Sequence, residues 1–329
     1  MASLPDVFNE MVSTTLRNRR GRITGNVENG NVLLGWLRRR GNIDPADGGR
    51  ELVEELSYAE NDTFKWYEGY EVLDITPQSV IGHARFPWKQ GALSISASGG
   101  ELAQNSGKEA LIRLAKGRTV NAEESMVNNL GIGVYSNGAA NGGKQMQGLQ
   151  VAVPDDPTTG VYGGIDRSEQ TFWQSQTDDA STVFSSQTSA SVLALMQAMW
   201  LNIVSAPGPQ GGNAGPDLLV AGVNAFTTYW NSLTADQRFT NPDTAVRGFQ
   251  SLEFAGPQGK APLFFDPQCD TNRMYFLSTK FIKYRPHKNR NMSWSDERHS
   301  QNQDSSVTLL FWMGNMTLSN AGRQGVIFD

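Results

Sequence analysis

The chain has 329 residues, 38% of them hydrophobic and 19% charged, with 34 glycines. That is enough to bury a sizeable core as one large domain or two smaller ones, and it excludes a disordered chain. The net charge of −5 argues against a dedicated nucleic-acid binder, and the single cysteine, Cys269, excludes an internal disulfide and fits a reducing compartment.

Residues 4–40 show two helix-like patches. The first, about Pro5–Arg19, spaces Val7, Phe8, Met11 and Leu16 near the helical period; the second runs from Asn31 to Arg40. A turn-rich stretch, 25–30, separates them. Neither patch carries enough apolar surface to stand alone, so this region reads as an arm that lies on something else. No secretion signal is expected from its start, since a basic stretch followed by an apolar one is missing. Charge is polarised along the arm. Residues 1–40 hold seven Arg and three acids, and residues 41–62 hold seven acids and one Arg. The plain reading is two solvated faces; the sharper one is an arm and a neighbouring segment that pair across a subunit contact, with direct contact of the arginines to DNA as a third option.

Residues 58–98 are aromatic and alternate with period two. Phe64, Trp66, Tyr70 and Val72 share one face, Lys65, Tyr67 and Glu71 the other, and Leu93–Ser98 alternates cleanly. The pattern predicts a long hairpin, which is marginal by itself in water and needs a surface to cover its aromatics. A helix is expected from Gly107 to Val134, with Leu111, Leu114, Ala115, Ala122, Met126 and Leu130 as its stripe and Gly117 as its weak point. Residues 136–182 read as loops with short strands. Ser189–Val204 reads as a second helix, Gly208–Gly215 as a loop, 217–221 as a buried strand and Asn224–Leu233 as the helix after it. Strands are expected at Leu252–Phe254, Leu263–Phe265, Met274–Leu277, Lys280–Tyr284, Val307–Met313 and Val326–Phe328. The last but one contains the longest apolar run, far short of the ~20 residues of a membrane span. The class is α+β with segregated pieces.

An enzyme should show a site, and each candidate fails on context. Gly138 and Gly143-Lys144 have phosphate-loop spacing, but Gln145 stands where a magnesium-binding hydroxyl belongs, and the segment follows a helix. His83, His287 and His299 are too far apart in sequence to form a local metal motif. The pairs Asp155-Asp156 and Asp178-Asp179 sit in turn-forming contexts, and Cys269 has no base near it. No catalytic, cofactor-binding or metal residue is therefore assigned, and no cofactor is expected.

Several landmarks occur in a fixed order. Trp88-Lys89 opens a strand that ends at Ser98. Asn105–Glu109 follows, then the long helix with Asn121-Ala122-Glu123, then Tyr135–Gly138 and Gly148-Leu149. Met274–Thr279, Arg285-Pro286 and Gly314–Asn320 with Gly325 come much later. This order resembles the major capsid proteins of tailed bacteriophages, which share the Hong Kong 97-type fold, over nearly the whole chain.

The resemblance implies an N-terminal arm at 1–57 and an extended loop at 58–92. It implies a peripheral domain at 93–134 and 272–329, built on the long spine helix, and an axial domain at 135–271. It implies a non-enzymatic shell subunit that assembles with itself as pentamers and hexamers into an icosahedral head in the host bacterial cytoplasm. Its further partners would be a portal protein at one vertex and packaged double-stranded DNA, held non-specifically, with no membrane; a decoration protein is left open. The arm is too short to contain the cleaved scaffolding segment of some relatives, so a separate scaffolding protein and no maturation cleavage are expected. Nothing marks a covalent Lys–Asn crosslink. Two other readings stay open: an encapsulin-like bacterial compartment shell, and, in a different class, a β-rich carbohydrate-active enzyme or binding domain.

Overall fold

The computed structural model describes residues 30–104, 108–188, 191–206, 215–233, 251–296, 298–299 and 304–329. The helix expected over Pro5–Arg19 and most of the loop expected at Gly208–Gly215 lie outside them. The chain opens with α1 (Val32–Arg40), β1 (Glu51–Ser57), β2 (Ile81–Pro87), β3 (Lys89–Ser98), α2 (Gly99–Gln104) and α3 (Lys108–Tyr135). Next come β4 (Val161–Tyr162), β5 (Ile165–Asp166), β6 (Gln176–Asp179), α4 (Val192–Ser205), β7 (Leu218–Ala221) and α5 (Val223–Ser232). The rest is strand: β8 (Ser251–Gly256), β9 (Gly259–Phe265), β10 (Arg273–Leu277), β11 (Ile282–Pro286), β12 (Ser293–Trp294), β13 (Arg298–His299), β14 (Ser305–Leu318) and β15 (Gly325–Phe328). These fall into two compact units. Of the described residues, the first draws on those up to Gly49, Trp88–Gly148 and Tyr284–Met316, the second on Arg50–Pro87, Leu149–Lys283 and Thr317–Asp329.

In the first unit α1 is defined at both ends by its sequence. The Asn31 side chain accepts the Leu34 N–H at 3.2 Å, Gly41 takes the left-handed conformation at φ 77°, and Arg38–Arg40 complement the negative end of the helix dipole. Its apolar residues Val32–Leu34, Trp36 and Leu37 are buried. The long helix α3 runs 28 residues, about 42 Å, and continues through Gly117. Ala122, Met126, Leu130 and Val134 are buried along it. Its C-terminal end packs so closely on Gly148 that a Cβ there would lie 2.5 Å from the Gly133 carbonyl oxygen, which only glycine avoids.

The sheet of this unit is organised by β14. Along one side it pairs antiparallel with β3, from Ser305↔Ser98 to Gly314↔Lys89; β11, β12 and β13 follow one another along its other side. Residues 42–47 lie parallel to β11 through the Ile43↔Tyr284 and Ala46↔His287 bridges. Asp44 pairs with Arg285 at 3.1 Å and Asp47 with Lys288 at 2.6 Å. Part of the acidic run at 41–62 is thus neutralised within the chain. The parallel register sets these two acids each beside a base.

The core of the second unit is a six-stranded sheet in the order β6-β15-β10-β7-β9-β8. The β15–β6 and β7–β9 pairs are parallel and the others antiparallel. Val192, Met196, Met199, Trp200 and Ile203 of α4 and Ala225 and Tyr229 of α5 pack on Leu219, Leu263, Met274, Phe276 and Ile327 of the sheet. Two glycines admit the helix: a Cβ at Gly256 would lie 2.4 Å from the Trp200 ring, and one at Gly325 would lie 2.6 Å from the Met199 sulfur. Arg323 is buried and donates to the Ile203 and Val204 carbonyls at 2.8 and 2.7 Å, closing the C-terminal end of α4.

The hairpin expected between Phe64–Val72 and Leu93–Ser98 does not form. β3 is committed to a ten-residue register with β14, and the hairpin that does form joins β1 to β2, from Glu51↔Pro87 to Ser57↔Ile81. The winning pairing buries Leu52, Leu56, Ala84 and Phe86 on one face. The strand expected to begin at Lys280 begins at Ile282, after a 3-10 turn at Thr279–Phe281.

Candidate assembly surface

The β1–β2 hairpin is anchored through its inward face. Leu52, Glu54 and Leu56 alternate inward on β1. Glu54 is buried, and its carboxylate accepts from Lys283 Nζ at 2.8 Å and Thr317 Oγ1 at 3.0 Å, so the charge is compensated where it is desolvated. On β2, Phe86 meets Tyr162 edge-on at 5.1 Å, and the Arg85 N–H donates to the Gly163 carbonyl at 2.8 Å. The outward face carries Glu51, Val53, Glu55, Ile81, His83 and Arg85.

Between the two strands the chain leaves on an excursion, residues 58–80, without a regular element. Its neck is closed by the Tyr58 N–H donating to Val80 O at 3.2 Å and the Tyr58 hydroxyl donating to Ser79 O at 2.8 Å; the Tyr58 ring stacks on Phe172 at 5.0 Å. Local contacts shape the rest. Asp74 accepts the Thr76 N–H and hydroxyl at 2.9 and 2.6 Å, and these bonds hold its carboxyl below the usual range. Lys65 pairs with Glu71 at 3.2 Å, and the Phe64 ring meets Trp66 edge-on at 5.4 Å. Among the described residues nothing covers the apolar side chains. Phe64 is 73% exposed, Trp66 88% and Ile75 90%, and Tyr67, Tyr70, Val72 and Leu73 are exposed with them. Scattered apolar residues on a surface are ordinary, but seven exposed ones within residues 64–75 make a candidate interaction site.

The sequence singled out Phe64, Trp66, Tyr67, Tyr70 and Val72, and the structure leaves them together on this excursion. It missed Leu73 and Ile75, whose only signal is two β-prone residues flanking Asp74. It also missed Glu54, because a charge on the inward face disguises the alternation.

The chemical candidates are dispersed and structurally occupied. Asp155 receives both terminal nitrogens of Arg273, and Asp156 accepts the Thr158 N–H and hydroxyl. The Thr158 bonds hold the Asp156 carboxyl below its ordinary range. Asp179 accepts the Ser181 N–H at 2.7 Å. Burial, and then Asp266 and Asp270, push the Cys269 thiol up, the opposite of what a nucleophile needs. His83 lies beside Arg85, His287 beside Trp88 and His299 beside Ser306. At the phosphate-loop look-alike, Asn141, Gly142 and Gly143 take left-handed turns and Lys89 donates to the Gly143 carbonyl. Among the described residues no group of three His, Cys, Asp or Glu side chains could hold a metal, and no helix is long and apolar enough to cross a membrane.

No family model and no curated protein matches the sequence. Solved structures do. The capsid subunit of cyanophage A-1(L) superposes with a TM-score of 0.60 at 14% identity, over 90% of this chain and 92% of that one. The chain has the Hong Kong 97-type capsid fold. Other structures with the capsid fold match comparably: the capsid of an empty GTA particle at TM-score 0.53 and 8% identity, covering 88% of each chain, and the SrpI encapsulin of Synechococcus elongatus PCC 7942 at 0.55 and 10%, covering 89% of this chain and 86% of that. Identities this low speak to fold only.

Proposed function

We propose that this chain is the major capsid protein of a tailed phage, a non-enzymatic subunit that assembles with copies of itself into an icosahedral head around double-stranded DNA. The observation that carries this reading is the match to shell-forming subunits over about nine-tenths of both chains. The exposed excursion 58–80 supports it, because an uncovered aromatic segment is costly for an isolated monomer and useful in a subunit that many copies surround. Many modest contacts then sum to a strong closed shell.

In this reading residues 1–57 act as the arm and 58–92 as the extended loop. Residues 93–134 and 272–329 form the peripheral domain, and 135–271 the axial one. Pentamers and hexamers close the shell in the host cytoplasm, with a separate scaffolding protein and a portal at one vertex, and no catalytic role is assigned. A satellite phage P4 procapsid whose structure includes a size-determination protein shares the fold, at TM-score 0.52 and 8% identity. The encapsulin match keeps one second reading in play, a bacterial compartment shell.

The test is expression of the chain with and without its scaffolding partner, followed by sizing and negative-stain microscopy. Uniform shells, or pentamers and hexamers that convert to shells with scaffold, support the reading. A monomer that never assembles in the presence of scaffold overturns it. Shells purified with protein cargo instead of DNA select the compartment reading.

A further inference from the structure

The sequence holds three Asn-Gly pairs, at 29–30, 137–138 and 141–142. In such a pair the backbone nitrogen of the glycine can attack the asparagine side-chain carbonyl, since no Cβ on the second residue stands in its way. The last two pairs lie in one loop, between the end of α3 and the close packing at Gly148, and the structure treats them in opposite ways.

Both reacting groups of the 137–138 pair are held. Asn137 Oδ1 accepts the Ala139 N–H at 3.1 Å, and the Gly138 N–H donates to Ser136 Oγ at 3.3 Å. Ser136 is fixed in turn, because its hydroxyl lies 2.9 Å from the Gly133 carbonyl oxygen and 2.8 Å from that of Met146. Gly138 is buried. Reaction there requires both bonds to break and a buried backbone nitrogen to open to water.

Neither reacting group of the 141–142 pair is held. Among the described residues the Asn141 side chain and the Gly142 N–H have no hydrogen-bond partner, and residues 141–144 are all exposed. The chain passes through successive left-handed residues here, with φ of 54°, 68° and 78° at Asn141, Gly142 and Gly143. The glycines take that region freely. Asn141 carries a Cβ and is strained in it, so rotation out of the turn and toward attack follows its intrinsic preference. The Gly143 N–H donates to the Ala139 carbonyl at 3.1 Å and closes the turn, and Lys89 donates to the Gly143 carbonyl.

We propose that Asn141 is a site of spontaneous deamidation. The Gly142 nitrogen forms a bond to Asn141 Cγ and gives up its proton, the Cγ–N bond of the side-chain amide breaks, and ammonia leaves with that proton. A cyclic imide remains. Water then opens it at either carbonyl, leaving aspartate or isoaspartate at 141. Both products add a negative charge close in sequence to Lys144. Isoaspartate also routes the main chain through Cβ and lengthens it inside the turn that the Gly143–Ala139 bond closes. The reaction needs only water and does not depend on the shell reading.

The test is to age the purified full chain in mildly alkaline buffer, folded and in denaturant, and to map deamidation by mass spectrometry, with an isoaspartyl methyltransferase to count isoaspartate. In denaturant Asn137 and Asn141 should react at similar rates, because their local chemistry is the same. In the folded protein Asn137 should fall behind Asn141 by roughly tenfold or more, the effect of its hydrogen bonds and burial. Gly142→Ala places a Cβ beside the attacking nitrogen and should slow Asn141 strongly. Asn141→Gln should remove the rapid isoaspartate signal from the loop and leave Asn137 unchanged. Equal rates at the two sites in the folded protein, or rapid isoaspartate formation in the loop that survives Asn141→Gln, overturn the proposal. The wild-type comparison needs no variant, so a Gly142→Ala chain that fails to fold leaves the test standing.

Discussion

Helix α4 and the excursion 58–80 carry similar chemistry and meet opposite fates. In α4 the apolar residues recur at helical spacing, and Val192, Met196, Met199, Trp200 and Ile203 are each at most 2% exposed against the sheet. In the excursion Phe64, Trp66, Tyr67, Tyr70, Val72, Leu73 and Ile75 lie in solvent. The difference is not hydrophobicity. α4 has a sheet face to pack on and glycines at 256 and 325 that let it approach, whereas the inward face of the flanking β1–β2 hairpin is filled by Leu52, Leu56, Ala84 and Phe86. The helix stabilises the fold; the excursion leaves its apolar side chains in solvent.

Substitutions can break that comparison, and the largest effect on stability should come from the helix. Trp200 is buried, with its ring 5.8 Å from Phe254, so Trp200→Ala should cost about 3–5 kcal/mol and lower Tm sharply in thermal unfolding. Arg323→Met leaves the Val204 carbonyl without its side-chain donor and Ile203 with only the 3.4 Å bond from the Ala206 N–H, an expected loss of about 1–3 kcal/mol by denaturant titration. Asp44→Asn breaks a half-exposed pair with Arg285 and should cost no more than about 1 kcal/mol, with the loss shrinking as salt rises.

Asp178→Asn should act in the other direction. Burial first, and Asp179 second, hold the Asp178 carboxyl above its ordinary range. The folded state then binds this proton more tightly than the unfolded chain. The group's contribution to stability is therefore greatest at low pH and is lost as pH rises from about 4, the unfolded value, through the raised folded one. The asparagine variant should show a slightly higher Tm at pH 7 and no gain below about pH 4.

Smallest of all for stability is Trp66→Ser, within about 0.5 kcal/mol of wild type because the ring is 88% exposed and little packing goes with it. Its shell yield, counted by microscopy, should nevertheless collapse. A stable subunit with a normal shell yield would show that the excursion is not an assembly surface.

The sequence by itself determined the local elements whose signals are local. Asn31 and Gly41 bracket α1, and the stripe at Ala122, Met126 and Leu130 marks α3. The apolar run at 218–221 marks the buried strand β7, and the order of landmarks from Trp88 to Gly325 points to the capsid fold. It also pointed to the excursion's aromatics as residues in need of a partner. Only the tertiary structure decided which strands pair. β1 was hidden because Glu54 stands on its inward face, a position made tolerable by Lys283 and Thr317, more than 200 residues away. The β3 alternation fits any partner, and the ten-residue match offered by β14 settled the choice. Period and capping are written into neighbouring residues, but pairing is a competition between distant segments for the same backbone groups, and its outcome depends on which surfaces the rest of the fold has already filled.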